Sequence, residues 1–207
     1  ISYSISDQEI LVPSGVYLVT SDVIVRAPYS IKIAPVVTFK MSKGVNFCIN
    51  GSADLHGTKL QEIIVERLNK EEAFGCFSIV GNKENTRVNI NYFKISGGSE
   101  SYILGRTFTG QFAVYNANVT IRNSSFEASQ GDDGLNIKYS KVNIEHCTFR
   151  NNYADQVDLD FCFSKISHCT FSPSKIDANG DGLDLSGSYA NIVECSFSDF
   201  LDKGLSL

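Results

Sequence analysis

The sequence lacks several features that would point to a helical, membrane-spanning or metal-knuckle protein. It contains no Trp, one Met and four Pro in 207 residues, and its apolar runs are only a handful of residues long. A membrane span needs about 20 consecutive apolar residues, so we expect none. The six Cys residues include no Cys-x-x-Cys pair, which argues against a zinc knuckle or a redox motif.

The residues that are abundant favour strands. The chain is 43% hydrophobic and 20% charged, which is a globular composition. It holds 16 Gly, 14 Phe and 9 Tyr among many Ser, Asn, Ile and Val residues, and this combination is typical of a β-rich chain. Only residues 59–73 resemble a helix.

Acidic residues are concentrated in the last third of the chain. Residues 1–129 carry 11 acidic and 12 basic side chains, whereas residues 130–207 carry 12 acidic and 6 basic ones. The net charges are therefore +1 and −6, which sum to the overall −5. A nucleic-acid partner needs a basic stripe, so the composition predicts no such partner.

An internal repeat organises the chain. Residues 133–149 align without a gap on residues 155–171, a shift of 22 residues, and residues 181–197 repeat the pattern after a further 26. Shorter matches occur at residues 88–95, 119–126 and 204–207. Within each copy apolar and polar residues alternate in short bursts, which predicts strands joined by turns. One unit cannot bury its apolar side alone, so the units must stack into a parallel β-solenoid.

Stacking predicts columns of equivalent inward residues about 4.8 Å apart. One column contains Ile90, Ile121, Ile144, Ile166 and Ile192. A second contains Ile95, Phe126, Phe149, Phe171 and Phe197. These columns should form the core.

The recurring Gly-Leu-x-Leu, followed by Val/Ala-x-Ile-x-x-Cys-x-Phe, resembles the repeat of pectate lyases, polygalacturonases, mannuronan epimerases and phage tailspikes. The resemblance implies an all-β fold, a right-handed parallel β-helix with rungs of about 22 residues. It implies one domain over residues 1–207, with irregular first coils at 1–87 and regular rungs at 88–207. The first coils are similar to surface β-helix segments joined to CotH kinase-like proteins. Residues 59–69 and 99–109 break the rhythm and should form excursions from the helix.

The acids of the last third recur at fixed repeat positions. One column contains Asp133, Asp155 and Asp181, next to Asp132. A second column contains Asn136, Asp158 and Asp184, and a third contains Lys138 and Asp160. Alternation directs Asn136 and Lys138 to solvent, so we expect an exposed acidic face.

Three interpretations of these acids remain open. They can close turns by accepting backbone hydrogen bonds. Asp158, Asp160 and Asp184, with Asp155 beside them, can offer oxygen ligands to calcium. They can also be catalytic, with Asp132, Asp133, Asp155 and Asp181 as candidates. This third interpretation follows from residues 131–137 and 179–184, which are similar to the Gly-Asp-Asp-Cys and Asn-Thr-Asp-Gly segments of polygalacturonases. The two segments occur here in the reverse order.

Two functions are compatible with this pattern. The first is a non-catalytic, secreted or cell-surface module that presents a face to a polysaccharide or a surface protein, with Asn136, Lys138, Asp158, Asp160 and Asp184 as binding residues. The alternative is a polysaccharide lyase, hydrolase or epimerase that uses the acidic face.

The end of the sequence matches only the opening of a rung. Leu205 and Leu207 should therefore be less buried than Leu183 and Leu185. We expect further rungs or a second chain to cover this edge.

Overall fold

A computed structural model describes residues 3–82, 85–173 and 180–207, and these form 27 strands. Three large sheets wind into a right-handed solenoid of about eight coils, as predicted. Sheet A contains β1 (Ser4–Ser6), β2 (Glu9–Val12), β5 (Ser30–Ile33), β8 (Ala53–His56), β11 (Arg87–Asn91), β16 (Asn118–Arg122), β19 (Lys141–Glu145), β22 (Phe163–Ser167) and β25 (Tyr189–Val193).

The other two large sheets have eight strands each. Sheet B contains β3 (Gly15–Val19), β6 (Val37–Met41), β9 (Ile63–Arg67), β12 (Phe93–Ser96), β17 (Ser125–Glu127), β20 (Thr148–Arg150), β23 (Thr170–Ser172) and β26 (Ser196–Phe197). Sheet C contains β4 (Val23–Val25), β7 (Phe47–Ile49), β10 (Phe77–Val80), β15 (Gly110–Tyr115), β18 (Asp133–Lys138), β21 (Asp155–Asp160), β24 (Leu183–Ser186) and β27 (Leu205–Ser206).

The register confirms the predicted core columns. Ile144 pairs with Ile121 on one side and Ile166 on the other, and all three are buried. The Phe149 ring stacks on Phe126 and Phe171, with centroids 5.3 and 5.1 Å apart. Identical rings in consecutive rungs therefore fill the interior at the strand spacing.

Residues in the left-handed conformation turn the chain between sheets A and B. Asn123, His146, His168 and Glu194 occupy equivalent corners with φ between 48° and 54°. The two His rings stack with centroids 4.7 Å apart. Positive φ is tolerated best by Asn, Asp and His, which explains why polar residues recur at this position of the repeat.

The first coils belong to the same three sheets but depart from our expectations at residues 59–73. This segment is not helical, and residues 59–69 as a whole are not an excursion, because Ile63–Arg67 is strand β9 of sheet B, with Ile63 and Val65 buried. The predicted excursion at residues 99–109 is confirmed. It forms an antiparallel hairpin of β13 (Ser101–Ile103) and β14 (Arg106–Phe108).

The last rung is exposed as predicted. Leu205 and Leu207 are 40% and 92% exposed, against 0% for Leu183 and 5% for Leu185. Among the described residues no helix has the length and apolarity that a membrane span requires.

Candidate functional site

The predicted polar columns lie side by side on the outer face of sheet C. Asp158 pairs in register with Asn136 and Asp184, and Asp160 pairs with Lys138. Parallel in-register pairing brings equivalent side chains of adjacent rungs to about 4.8 Å from each other. We refer to Asp133, Asn136, Lys138, Asp158 and Asp160 as the carboxylate cluster.

The prediction that Asn136 faces solvent is wrong. Asn136 is fully buried and Asp133 is 2% exposed. The cause is the hairpin of β13 and β14, which packs against the outside of sheet C. Its Phe108 stacks on Tyr115 with ring centroids 5.0 Å apart, and the Tyr115 hydroxyl donates a 2.8 Å hydrogen bond to Asn136 Oδ1. An outward strand position is therefore covered by a second layer.

Hydrogen bonds and an ion pair connect the columns. Asn136 Nδ2 donates to Asp158 Oδ2 at 2.7 Å, which continues the chain that begins at the Tyr115 hydroxyl. Lys138 Nζ lies 2.6 Å from Asp160 Oδ2 and 5.9 Å from the centroid of the Tyr115 ring. Two of the three predicted calcium ligands, Asp158 and Asp160, therefore already have partners.

Two of the four catalytic candidates close turns. Asp155 Oδ1 accepts a 2.7 Å hydrogen bond from the backbone N–H of Asp181, and Asp181 Oδ1 accepts one of 3.1 Å from the N–H of Lys203. Each carboxylate thus holds the start of the next rung, as the turn interpretation requires. The exposed Lys203 Nζ is 3.6 Å from Oδ2 of the buried Asp181 and 3.1 Å from Oδ2 of Asp202, so its charge is shared between two carboxylates.

The other two catalytic candidates, Asp132 and Asp133, differ from Asp155 and Asp181. Asp132 is exposed, and its N–H donates to Glu100 Oε2 at 3.0 Å. Asp133 Oδ2 and Asp158 Oδ1 are buried and form no hydrogen bond of good geometry with a described residue, although the Thr109 side chain is close enough to Asp133 to lower its pKa somewhat. Native proteins rarely leave a buried carboxylate oxygen unpaired, so Asp133 and Asp158 are the members of the cluster that the turn interpretation does not explain.

Burial shapes the electrostatics of the cluster. Desolvation, followed by the charge of Asp158, raises the pKa of Asp133 well above its ordinary value. Desolvation, followed by the charge of Asp160, raises the pKa of Asp158 to about 7. The pKa of Asp155 is raised to about 6, again chiefly by burial. A carboxyl group of this kind can hold a proton at neutral pH, which is the property of a general acid.

The described side chains do not form the ligand set that the calcium hypothesis requires. Within residues 3–82, 85–173 and 180–207, no group of three or more His, Cys, Asp or Glu side chains is arranged to hold one ion. Asp184 lies on the outer face, one rung beyond Asp158. The site at Asp158, Asp160 and Asp184 stays a prediction. Asn179, the first residue of the second polygalacturonase-like segment, lies outside the described residues.

Sequence reasoning missed a strip of aromatic residues beside the carboxylate cluster. Tyr139, Phe161, Phe163 and Tyr189 are 52%, 57%, 69% and 66% exposed. We refer to these four residues as the aromatic strip. They lie at and just beyond the corner between sheets C and A.

Local backbone geometry builds this strip. Tyr139 and Phe161 occupy the corner with φ of 54° and 52°, and their rings stack with centroids 5.2 Å apart and an angle of 2°. Gly187 follows in the same column, where a Cβ atom would lie 2.9 Å from the Phe161 ring. Phe163 and Tyr189 pair in register on the outer face of sheet A. Shallow, open grooves of about 260 and 470 Å³ run along these side chains.

Comparison with known proteins identifies the class to which this chain belongs. The family model of the right-handed β-helix region matches residues 76–207, so the chain is a member of that family. No match is found among curated proteins.

Solved structures that are similar to the chain include a phage protein and an epimerase module. ORF18 of Geobacillus virus E2 matches 94% of this chain with a TM-score of 0.54 and 14% identity, and the match spans 41% of the length of that protein. The A-module of mannuronan C-5 epimerase AlgE4 of Azotobacter vinelandii covers 96% of this chain and 91% of its own length, with a TM-score of 0.39 and 11% identity. At these identities the likeness concerns the fold, and one β-helix fold carries many activities.

Proposed function

We propose that this protein is a surface module that binds polysaccharide along the outside of its last rungs and does not cleave it. The aromatic strip carries the proposal. Four large aromatic side chains, each more than half exposed, line one edge in adjacent rungs. Contiguous exposed apolar surface is unusual in a soluble protein and marks an interaction site. The C–H faces of sugar rings pack on aromatic faces, so a row of rings suits a sugar polymer.

The spacing of the strip supports a repetitive ligand. Phe163 and Tyr189 occupy paired positions in neighbouring rungs, so they repeat at about 4.8 Å. That spacing is close to the length of one sugar ring. Cell-wall, capsular and matrix polysaccharides lie outside the cytoplasm. The proposal therefore implies a secreted or cell-surface location.

Affinity electrophoresis in gels that contain soluble polysaccharides tests the proposal. The triple variant Phe161→Ala, Phe163→Ala and Tyr189→Ala should lose retardation, because the stacking surface is removed while the core stays intact. Tyr153→Ala is the matched control, since Tyr153 is 64% exposed and lies outside the strip. Equal retardation of the triple variant and the wild type would overturn the proposal.

One observation favours a second candidate function, a polysaccharide-active enzyme. Asp133 and Asp158 combine raised pKa values with buried oxygens that form no hydrogen bond of good geometry with a described residue. A protonated and an ionised carboxyl in one site can act as acid and base on a glycosidic bond. If the wild type releases reducing ends or unsaturated sugars and Asp158→Asn does not, the protein is this enzyme and not a non-catalytic binding module.

A further inference from the structure

Two lysines beside the aromatic strip form no ion pair with any described residue. Lys141 and Lys165 are exposed on the outer face of sheet A. The other cation in this part of the face, Arg122, is neutralised by Glu145 at 3.0 Å. This patch therefore carries two uncompensated positive charges, although the last third of the chain is acidic overall.

The register places both lysines around one aromatic residue. Lys141 pairs with Phe163 one rung earlier, and Tyr189 pairs with Phe163 one rung later. Lys165 follows Phe163 by two residues on the same strand, so its side chain is on the same face. All four side chains line the groove of about 470 Å³.

The acids of the carboxylate cluster do not share this face. They project from sheet C, on the other side of the corner formed by Tyr139 and Phe161. Lys141 and Lys165 line the groove itself, whereas no acidic side chain is among the described residues that line it. A ligand in the groove therefore contacts the two lysines and none of the acids of the carboxylate cluster.

We infer that the groove binds an anionic polysaccharide, an inference that rests on the proposed polysaccharide-binding function. Sugar rings stack on Phe163 and Tyr189, and carboxylate or sulfate groups pair with Lys141 and Lys165. A neutral polymer gains only the stacking. The charge of the groove thus selects among polysaccharides that would all fit the aromatic strip.

Binding titrations with three probes test this inference: polygalacturonate carries carboxylates, dextran sulfate carries sulfates, and dextran is neutral. The wild type should bind at least one of the charged polymers more tightly than dextran, with an affinity that falls as salt is added. Lys141→Gln with Lys165→Gln should weaken that binding by about tenfold, since each exposed ion pair contributes up to about fivefold. Lys32→Gln, on the same face of sheet A but distant from the strip, is the control and should bind like the wild type.

The outcomes separate this inference from the proposal on which it rests. If the double-lysine variant loses binding to polygalacturonate only, or to dextran sulfate only, the inference is supported and the anionic group is identified. If dextran binds as tightly as the charged polymers, or if the double-lysine variant matches the wild type, the inference is overturned while polysaccharide binding stands. If no polymer binds to the wild type, the proposed function itself fails.

Discussion

Replacement of Asp158 by Asn should stabilise the protein at about pH 8 and change its stability little at about pH 4. The pKa of Asp158 is raised to about 7 by burial and by the nearby Asp160. In the unfolded chain the pKa of an Asp is about 3.9. At pH values between about 3.9 and about 7, Asp158 therefore holds a proton in the folded state that it has lost in the unfolded state. The stabilising effect of that proton is complete below the unfolded pKa and is lost as the pH rises through 7.

The magnitude follows from the shift. About three pKa units correspond to at most about 4 kcal/mol. Asp158 is partly exposed and keeps its hydrogen bond from Asn136, so we expect a gain of about 2 kcal/mol for Asp158→Asn at about pH 8. Asparagine can accept the same hydrogen bond and carries no charge.

Urea unfolding of both proteins at the two pH values measures this difference. Asp54→Asn serves as the control for the loss of one negative charge, because Asp54 lies on an outward position of sheet A. A variant that is no more stable than the wild type at about pH 8 would refute the argument. It would mean that solvent reaches Asp158 and that its charge costs nothing in the folded state.

Three further changes test other parts of the account. Phe149→Ala should lower the free energy of unfolding by about 3 to 5 kcal/mol, because the ring is fully buried between Phe126 and Phe171; a loss below about 1 kcal/mol in urea unfolding would contradict the ring stack. Phe108→Ala should free the hairpin of β13 and β14 from sheet C and speed hydrogen exchange at residues 101–108, and unchanged protection there would show that Phe108 does not hold the hairpin. The calcium hypothesis predicts that millimolar calcium raises the Tm and that the double variant Asp158→Asn and Asp160→Asn abolishes the rise; an unchanged Tm in the wild type would reject it.

The repeat made the solenoid predictable because stacked rungs must keep their register. A column such as Ile121, Ile144 and Ile166 is visible in the sequence since each shift returns the same residue type to the same position. The insertion at residues 99–109 was visible for the same reason, as a break in the period. The columns of the carboxylate cluster were also placed correctly by the repeat.

The environment of the site could not be derived in the same way. The alternation of apolar and polar residues along a strand predicts whether a side chain points inward or outward. It does not predict which other part of the chain covers an outward side chain. Asn136 points away from the core and is nevertheless buried, because the hairpin folds back over sheet C through Phe108 and Tyr115. This contact is tertiary and has no periodic signal.

The sequence pattern did not predict the aromatic strip, for a different reason. Tyr139 and Phe161 stand at corners with positive φ, where the period of two is interrupted and direction cannot be counted from neighbouring residues. Phe163 and Tyr189 are two aromatics in a column that otherwise holds Lys141 and other polar residues. The outward column of sheet A carries the signal that could have found them, because Lys141 is followed by Phe163 and Tyr189 in successive rungs.

The absence of Trp from the sequence allows one direct test of the aromatic strip. Phe163→Trp introduces the only indole of the protein at the centre of the groove. Titration with the charged polymer that the wild type binds, polygalacturonate or dextran sulfate, should shift its fluorescence emission to shorter wavelength in a saturable way, because a stacked sugar excludes water from the ring. Tyr153→Trp, at an exposed position outside the strip, should show no shift. Binding that leaves the Phe163→Trp emission unchanged, or that shifts both reporters equally, would contradict the assignment of this strip as the polysaccharide site.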